Sequence, residues 1–151
     1  MKKMLSVLLA IMMIATLALT GCGQNNDPTP TPDPEPTTRT FTDSLGREVT
    51  LPANLSKIAI SGPLAQIVVF AIAPDMMVGI ANGWAEEAKG LIPDEYYNLP
   101  LLGQLYGGKG ELNLETLLQS GAEVVIDVGE QKDGMADDLN ALQEQTGIPF
   151  V

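Results

Sequence analysis

Leu101 to Val128 reads LLGQLYGGKGELNLETLLQSGAEVVIDV, and this stretch decides how the chain folds. A glycine-rich loop, Gln104 to Gly110, leads to Asn113, whose side-chain oxygen suits a helix N-cap. Leu114, Leu117 and Leu118 then share one helical face, and Gly121 ends the helix because glycine takes the left-handed C-terminal conformation without steric cost. Glu123 to Val128 is a short apolar run bounded by turn residues, as expected of a strand buried on both faces of a parallel sheet. Parallel neighbours need crossovers of about a dozen residues, which a helix of this kind supplies.

Moving outward, the same alternation recurs on both sides. Upstream, Lys57 to Ser61 (KIAIS) is another short buried run, and Pro63 stands at the first position of a helix that Pro74 closes. Between Leu64 and Ala73 only Gln66 is polar, so this helix is expected to be covered on most sides. Met77 to Ala81 reads as a core strand, followed by Asn82-Gly83-Trp84, a polar helical piece Ala85 to Lys89, and a turn at Pro93-Asp94-Glu95 that carries Tyr96 and Tyr97. Downstream, Asp133 is placed to cap a helix with Asp137 and Asp138 in its first turn and Met135, Leu139 and Leu142 at helical spacing up to Gly147. Ile148 to Val151 begins a further strand. Ahead of all this, Phe41-Thr42, the turn Asp43 to Gly46, and Arg47 to Leu51 form a hairpin. The expectation is an α/β fold: a parallel sheet with flanking helices, preceded by a hairpin and a disordered tether. A chain ending on a newly begun strand reads as an incomplete domain, a fragment of something longer.

The amino terminus has a different character. Lys2 and Lys3 precede an apolar run from Met4 to Leu19, too short to span a bilayer and typical of an export signal. It ends in Leu19-Thr20-Gly21-Cys22, which resembles the bacterial lipobox, in which cleavage before the cysteine leaves a lipidated amino terminus. An ordinary signal peptide or a single anchor helix is the alternative. Residues 1–21 are thus assigned to a lipoprotein signal peptide, 22–40 to the lipidated Cys22 and a Pro-rich linker built around Pro28, Pro30, Pro32, Pro34 and Pro36, and 41–151 to the folded part. The expected location is the outer face of the cell membrane.

Composition narrows the function. A single cysteine cannot form an internal disulfide, and without histidine the usual zinc, haem-iron and Ser/His catalytic sets are missing. A net charge of −11, or −13 once residues 1–21 and their two lysines are removed, argues against nucleic acid as a partner. Gly103, Gly108 and Lys109 imitate a phosphate loop, but Gly110 stands where Ser or Thr would hold magnesium. Asp127, Glu130 and Asp133 lack calcium-loop spacing and read as solvated. Ligands of parallel sheets gather at the carboxyl ends of the strands, which points to the loops Ser61 to Pro63, Ala81 to Trp84, Gly103 to Gly110 and Gly129 to Asp133.

In Leu101 to Val128, Asn113-Leu114-Glu115 and Val124-Val125-Ile126 resemble the N-L-E helix start and the P-D-V-V-I strand of class III periplasmic binding proteins, the iron-siderophore, haem and cobalamin receptors of ABC importers. Gly121-Ala122-Glu123 departs from the commoner Pro-Asp, and FTDSLGREVTLP, residues 41 to 52, resembles that family's first hairpin. The resemblance covers about residues 40–151 and implies the amino-terminal lobe of a bilobed receptor, its second lobe absent here. It implies a metal chelate (siderophore, haem or cobalamin) and ABC permease subunits as partners, no cofactor, no resident metal and no enzymatic step. Glu115 takes the place of the family glutamate that meets permease arginines; alternatively it only complements the helix dipole. Trp84 and Tyr106 are candidates to stack on the ligand, or else pack their own loops. Lys109 and Lys132 are candidate partners for an anionic chelate, or solvated surface lysines. Ser61 and the amides around Gly62 and Gly107 to Gly110 are candidate donors to ligand oxygens, the glycines otherwise serving turns. A surface-anchored interaction module without a small ligand is the rival reading.

Overall fold

The computed structural model describes residues 37–107 and 111–151. The expected signal peptide, Cys22, the tether up to residue 36, and the loop residues Gly108, Lys109 and Gly110 lie outside the described residues.

The described residues begin with the hairpin β1 (Thr38–Thr42) and β2 (Glu48–Pro52), paired antiparallel with Phe41 opposite Val49. β1 therefore begins inside the stretch assigned to the tether: Thr38 to Thr40 already pair with Thr50 to Pro52. The turn is set by Asp43, whose Oδ1 accepts from the amides of Leu45 (3.0 Å) and Arg47 (2.9 Å), while Gly46 takes the positive φ of 78° that closes it.

β3 (Ile58–Ile60) and β4 (Val124–Ile126) form the centre of a parallel sheet, Ala59 opposite Val125. Further parallel bridges join Ile58 to Met77, Ile80 to Leu101 and Val125 to Phe150. The four expected segments thus run parallel, and a fifth, at Leu101, flanks them. Across the sheet the order is Leu101, Met77 to Ile80, β3, β4, Phe150; numbered by chain position this is 3-2-1-4-5, a doubly wound arrangement.

Period-two alternation divides the central strands between two apolar layers. Ile58, Ile60 and Val124 face one layer, shared with Val49 and Leu51 of β2 and with Ala65 and Val69 of helix α1 (Pro63–Ile72). Ala59 and Val125 face the other, shared with Leu117 of α3 (Leu114–Ser120), Met135 and Leu139 of α4 (Met135–Thr146), and Phe150. Each fully buried Leu, Ile or Phe of these layers contributes about 1.5–3 kcal/mol. Asn113 caps α3 as expected, accepting from the Thr116 amide at 3.0 Å, and Gly121 ends it in the left-handed conformation with φ 68°.

Three expectations need correction. Helix α1 is covered on one side only: Leu64, Ile67 and Ile72 are 52%, 60% and 77% exposed, while the polar Gln66 is buried. The sheet covers a single face of a surface helix whatever the residues on the other. Ala85 to Lys89 is not an α-helix but a single 3-10 turn, Glu86–Ala88, followed by a short helix α2, Asp94–Tyr97. The N-cap of α4 is Gly134, with no side-chain cap, so Asp133 does not perform that role.

Candidate functional site

The two central strands end side by side, and the chain leaves them in opposite directions across the sheet. A topological switch point of this kind leaves a crevice beyond the carboxyl ends of the strands. Ser61 follows β3 and is only 1% exposed. Its amide donates to Ile126 O (3.0 Å), its carbonyl accepts from Leu105 N (2.7 Å), and its hydroxyl donates to the carboxylate of Asp127, the residue that follows β4. Backbone and side chain thereby lock both strand ends and the start of the glycine-rich loop together.

Ser61, Gly62, Tyr106, Asp127, Glu130 and Lys132 line the resulting open crevice. The Lys132 ammonium stands over the Tyr106 ring, 4.3 Å from its centroid, a cation–π contact that positions both. The Tyr106 hydroxyl donates to Asp138 Oδ2 at 3.3 Å. Burial of the phenol, reinforced by the Asp138 charge, pushes its pKa up to about 12, so it remains a neutral donor throughout the physiological range.

Of the residues the sequence singled out, the fold brings Ser61, Gly62, Tyr106 and Lys132 into one crevice. Trp84 is not among its lining. Its ring packs against Phe70, with centroids 4.9 Å apart, and its Nε1 donates to Tyr96 O at 3.1 Å. Lys109 lies outside the described residues. Glu115 is exposed at the start of α3, where its Oε1 accepts from Gln119 Nε2 at 3.2 Å. Two lining residues were not anticipated as such: Asp127 and Glu130 were read as solvated. The signal was available, since an acid closing the buried run Val124-Val125-Ile126 must find a donor at the strand end, and Ser61 is that donor.

Gln66 holds a neighbouring strand-end loop. Its Oε1 accepts from the amides of Ala81 (2.8 Å) and Asn82 (3.1 Å), and its Nε2 donates to Asn82 O at 3.2 Å. Among the described residues no group of three or more His, Cys, Asp or Glu side chains is arranged to hold a metal ion, and no helix is long and apolar enough to cross a membrane. The crevice offers an aromatic face, one ammonium, carboxylates and strand-end backbone, which is equipment for holding a ligand.

No protein-family model and no curated protein sequence matches this chain. Solved structures do. An ABC transporter solute-binding protein from Sulfurospirillum deleyianum superposes with a TM-score of 0.61 at 23% identity, over 75% of this chain and 35% of that one. The molybdate-binding MolA of Haemophilus influenzae gives 0.54 at 24%, over 75% of this chain and 33% of that one. Helicobacter pylori CeuE, solved as a nickel–histidine complex, gives 0.51 at 22%, over 76% and 35%. The fold is that of the solute-binding proteins of ABC transporters, in the class III form that the sequence resembles. More particularly it is one α/β lobe of that fold, for the chain spans about a third of the length of the structures it matches.

Proposed function

We propose that the protein is a membrane-anchored substrate-binding lipoprotein of an ABC importer, which captures an iron-siderophore or related metal chelate and delivers it to the permease. The observation that carries this reading is the convergence of Ser61, Gly62, Tyr106 and Lys132 on the switch-point crevice of a solute-binding fold. A neighbour of the same fold, CeuE, was solved as a nickel–histidine complex. On this reading the lobe grips one side of the chelate, with the Tyr106 ring against its flat or apolar surface and the strand-end groups at its polar edge. Cys22 bears the lipid, Glu115 meets the permease, and the protein performs no chemistry of its own. On this reading the Ser61 hydroxyl, held by Asp127, is a positioning group.

Equilibrium dialysis of the protein as expressed from its gene against radio-iron chelates tests this. Saturable binding of at least one ferric chelate is expected, weakened up to about tenfold by Tyr106→Ala, in proportion to an aromatic contact. Binding of no ferric chelate refutes it. The exposed apolar residues of α1, Leu64, Ile67 and Ile72, favour the second reading, a surface-anchored interaction module, and that negative result would leave it standing.

A further inference from the structure

The crevice has a sign, and the sign bears on which chelates fit. Resting on the receptor reading above, we infer that this lobe turns an acidic, hydrogen-bond-accepting face to its ligand, and so selects neutral or cationic chelates over anionic ones. Two carboxylates, Asp127 and Glu130, stand in the lining against one ammonium, Lys132. Asp138, at the Tyr106 hydroxyl, adds a third acid at the rim, so the balance stays negative even with Lys109 of the same loop counted.

The two hydroxyl donors are also already committed. The Ser61 hydroxyl is spent on Asp127 and the Tyr106 hydroxyl on Asp138, while the Lys132 ammonium, over the Tyr106 ring, keeps its N–H groups for a ligand acceptor. Glu130, by contrast, is exposed and takes part in no hydrogen bond among the described residues, and Ser61 occupies only one oxygen of Asp127. A ligand entering here therefore meets free acceptors, and its amide N–H, hydroxyl or ammonium groups are what the lobe can satisfy. The net charge of −11 has the same sign and slows the approach of anions.

The experiment is a calorimetric titration of the full protein, at low ionic strength, with four probes: a neutral and a monocationic ferric tris-hydroxamate, a trianionic ferric tris-catecholate, and molybdate. The hydroxamates are expected to bind at least about tenfold more tightly than either anion, with the gap collapsing near 1 M salt, where the screening length falls to about 3 Å. Glu130→Gln, on an exposed residue, narrows the gap, and Lys132→Gln widens it. Equal or tighter binding of the tris-catecholate or molybdate overturns the inference while leaving a receptor in place. Binding of none of the four overturns the receptor reading and the inference with it.

Discussion

Replacing Arg47 by Met tests how the hairpin is fastened to the lobe. The guanidinium forms a fork on Asp43 Oδ2, through Nε at 2.8 Å and Nη2 at 2.7 Å, with side chains only 9% and 5% exposed. The same group reaches Asn140 Oδ1 of α4 at 2.9 Å and Phe150 O at 2.7 Å, so one side chain joins the turn, the last helix and the outer extended segment. Removing one partner of a buried pair costs about 3–5 kcal/mol. The amides of Leu45 and Arg47 still serve Asp43 Oδ1, which places the expected loss near the lower end, about 3 kcal/mol.

The loss should also depend on pH. Burial opposes ionisation of Asp43, but the hydrogen bonds and charge of Arg47 outweigh it and hold the carboxyl below its ordinary value of 3.8. A depressed pKa stabilises the fold above the unfolded value, and that contribution disappears as pH falls through 3.8 and lower. Urea unfolding at about pH 7 and about pH 3 should therefore show a large gap between parent and Arg47→Met at neutral pH and a smaller one in acid, with Arg47→Lys intermediate because it keeps charge but loses the fork. A neutral-pH difference under about 1 kcal/mol, or an equal gap at both pH values, would refute the reasoning.

Gln66→Leu keeps the volume but strips partners from the buried Ala81 amide, and chemical unfolding should register a loss of about 2 kcal/mol. Gly103→Ala adds a methyl at φ 78° that runs into the Glu111 carbonyl; a cost of about 2 kcal/mol or more is expected in thermal unfolding, whereas Gly129→Ala, with open space around it, should cost less. On the receptor reading proposed above, Glu115→Ala should slow chelate uptake in cells by up to about fivefold and leave the dissociation constant unchanged, since an exposed charge acts on docking; an unaltered uptake rate counts against the proposed permease role.

Much of the fold was legible because burial on both faces leaves a plain mark. KIAIS and EVVIDV hold unbroken apolar runs, and these became the paired centre of the sheet. The Leu101 segment escaped because a single bridge carries no periodicity. Helix α1 misled for a related reason: composition reports how apolar a segment is, but not which side the sheet covers, and here Gln66 points inward to hold Ala81 and Asn82. For the crevice, strand-end loops named Ser61, Gly62, Tyr106 and Lys132, because chain direction alone fixes where such ends lie. Trp84 sits in a loop of the same kind, yet its nearest aromatic, Phe70, comes from α1, a contact no local pattern encodes.

The hydroxyl of Ser61 and the carboxylate of Asp127 meet across 66 positions of chain. Closing so wide a loop is slow, and its entropy is recovered only when β3 and β4 have zipped together. The two strand ends that frame the crevice therefore depend on a contact distant in sequence and not on local structure alone. Any change that unpairs β3 from β4 accordingly undoes the floor of the crevice together with the core, so the shape of this region is a gauge of completed folding.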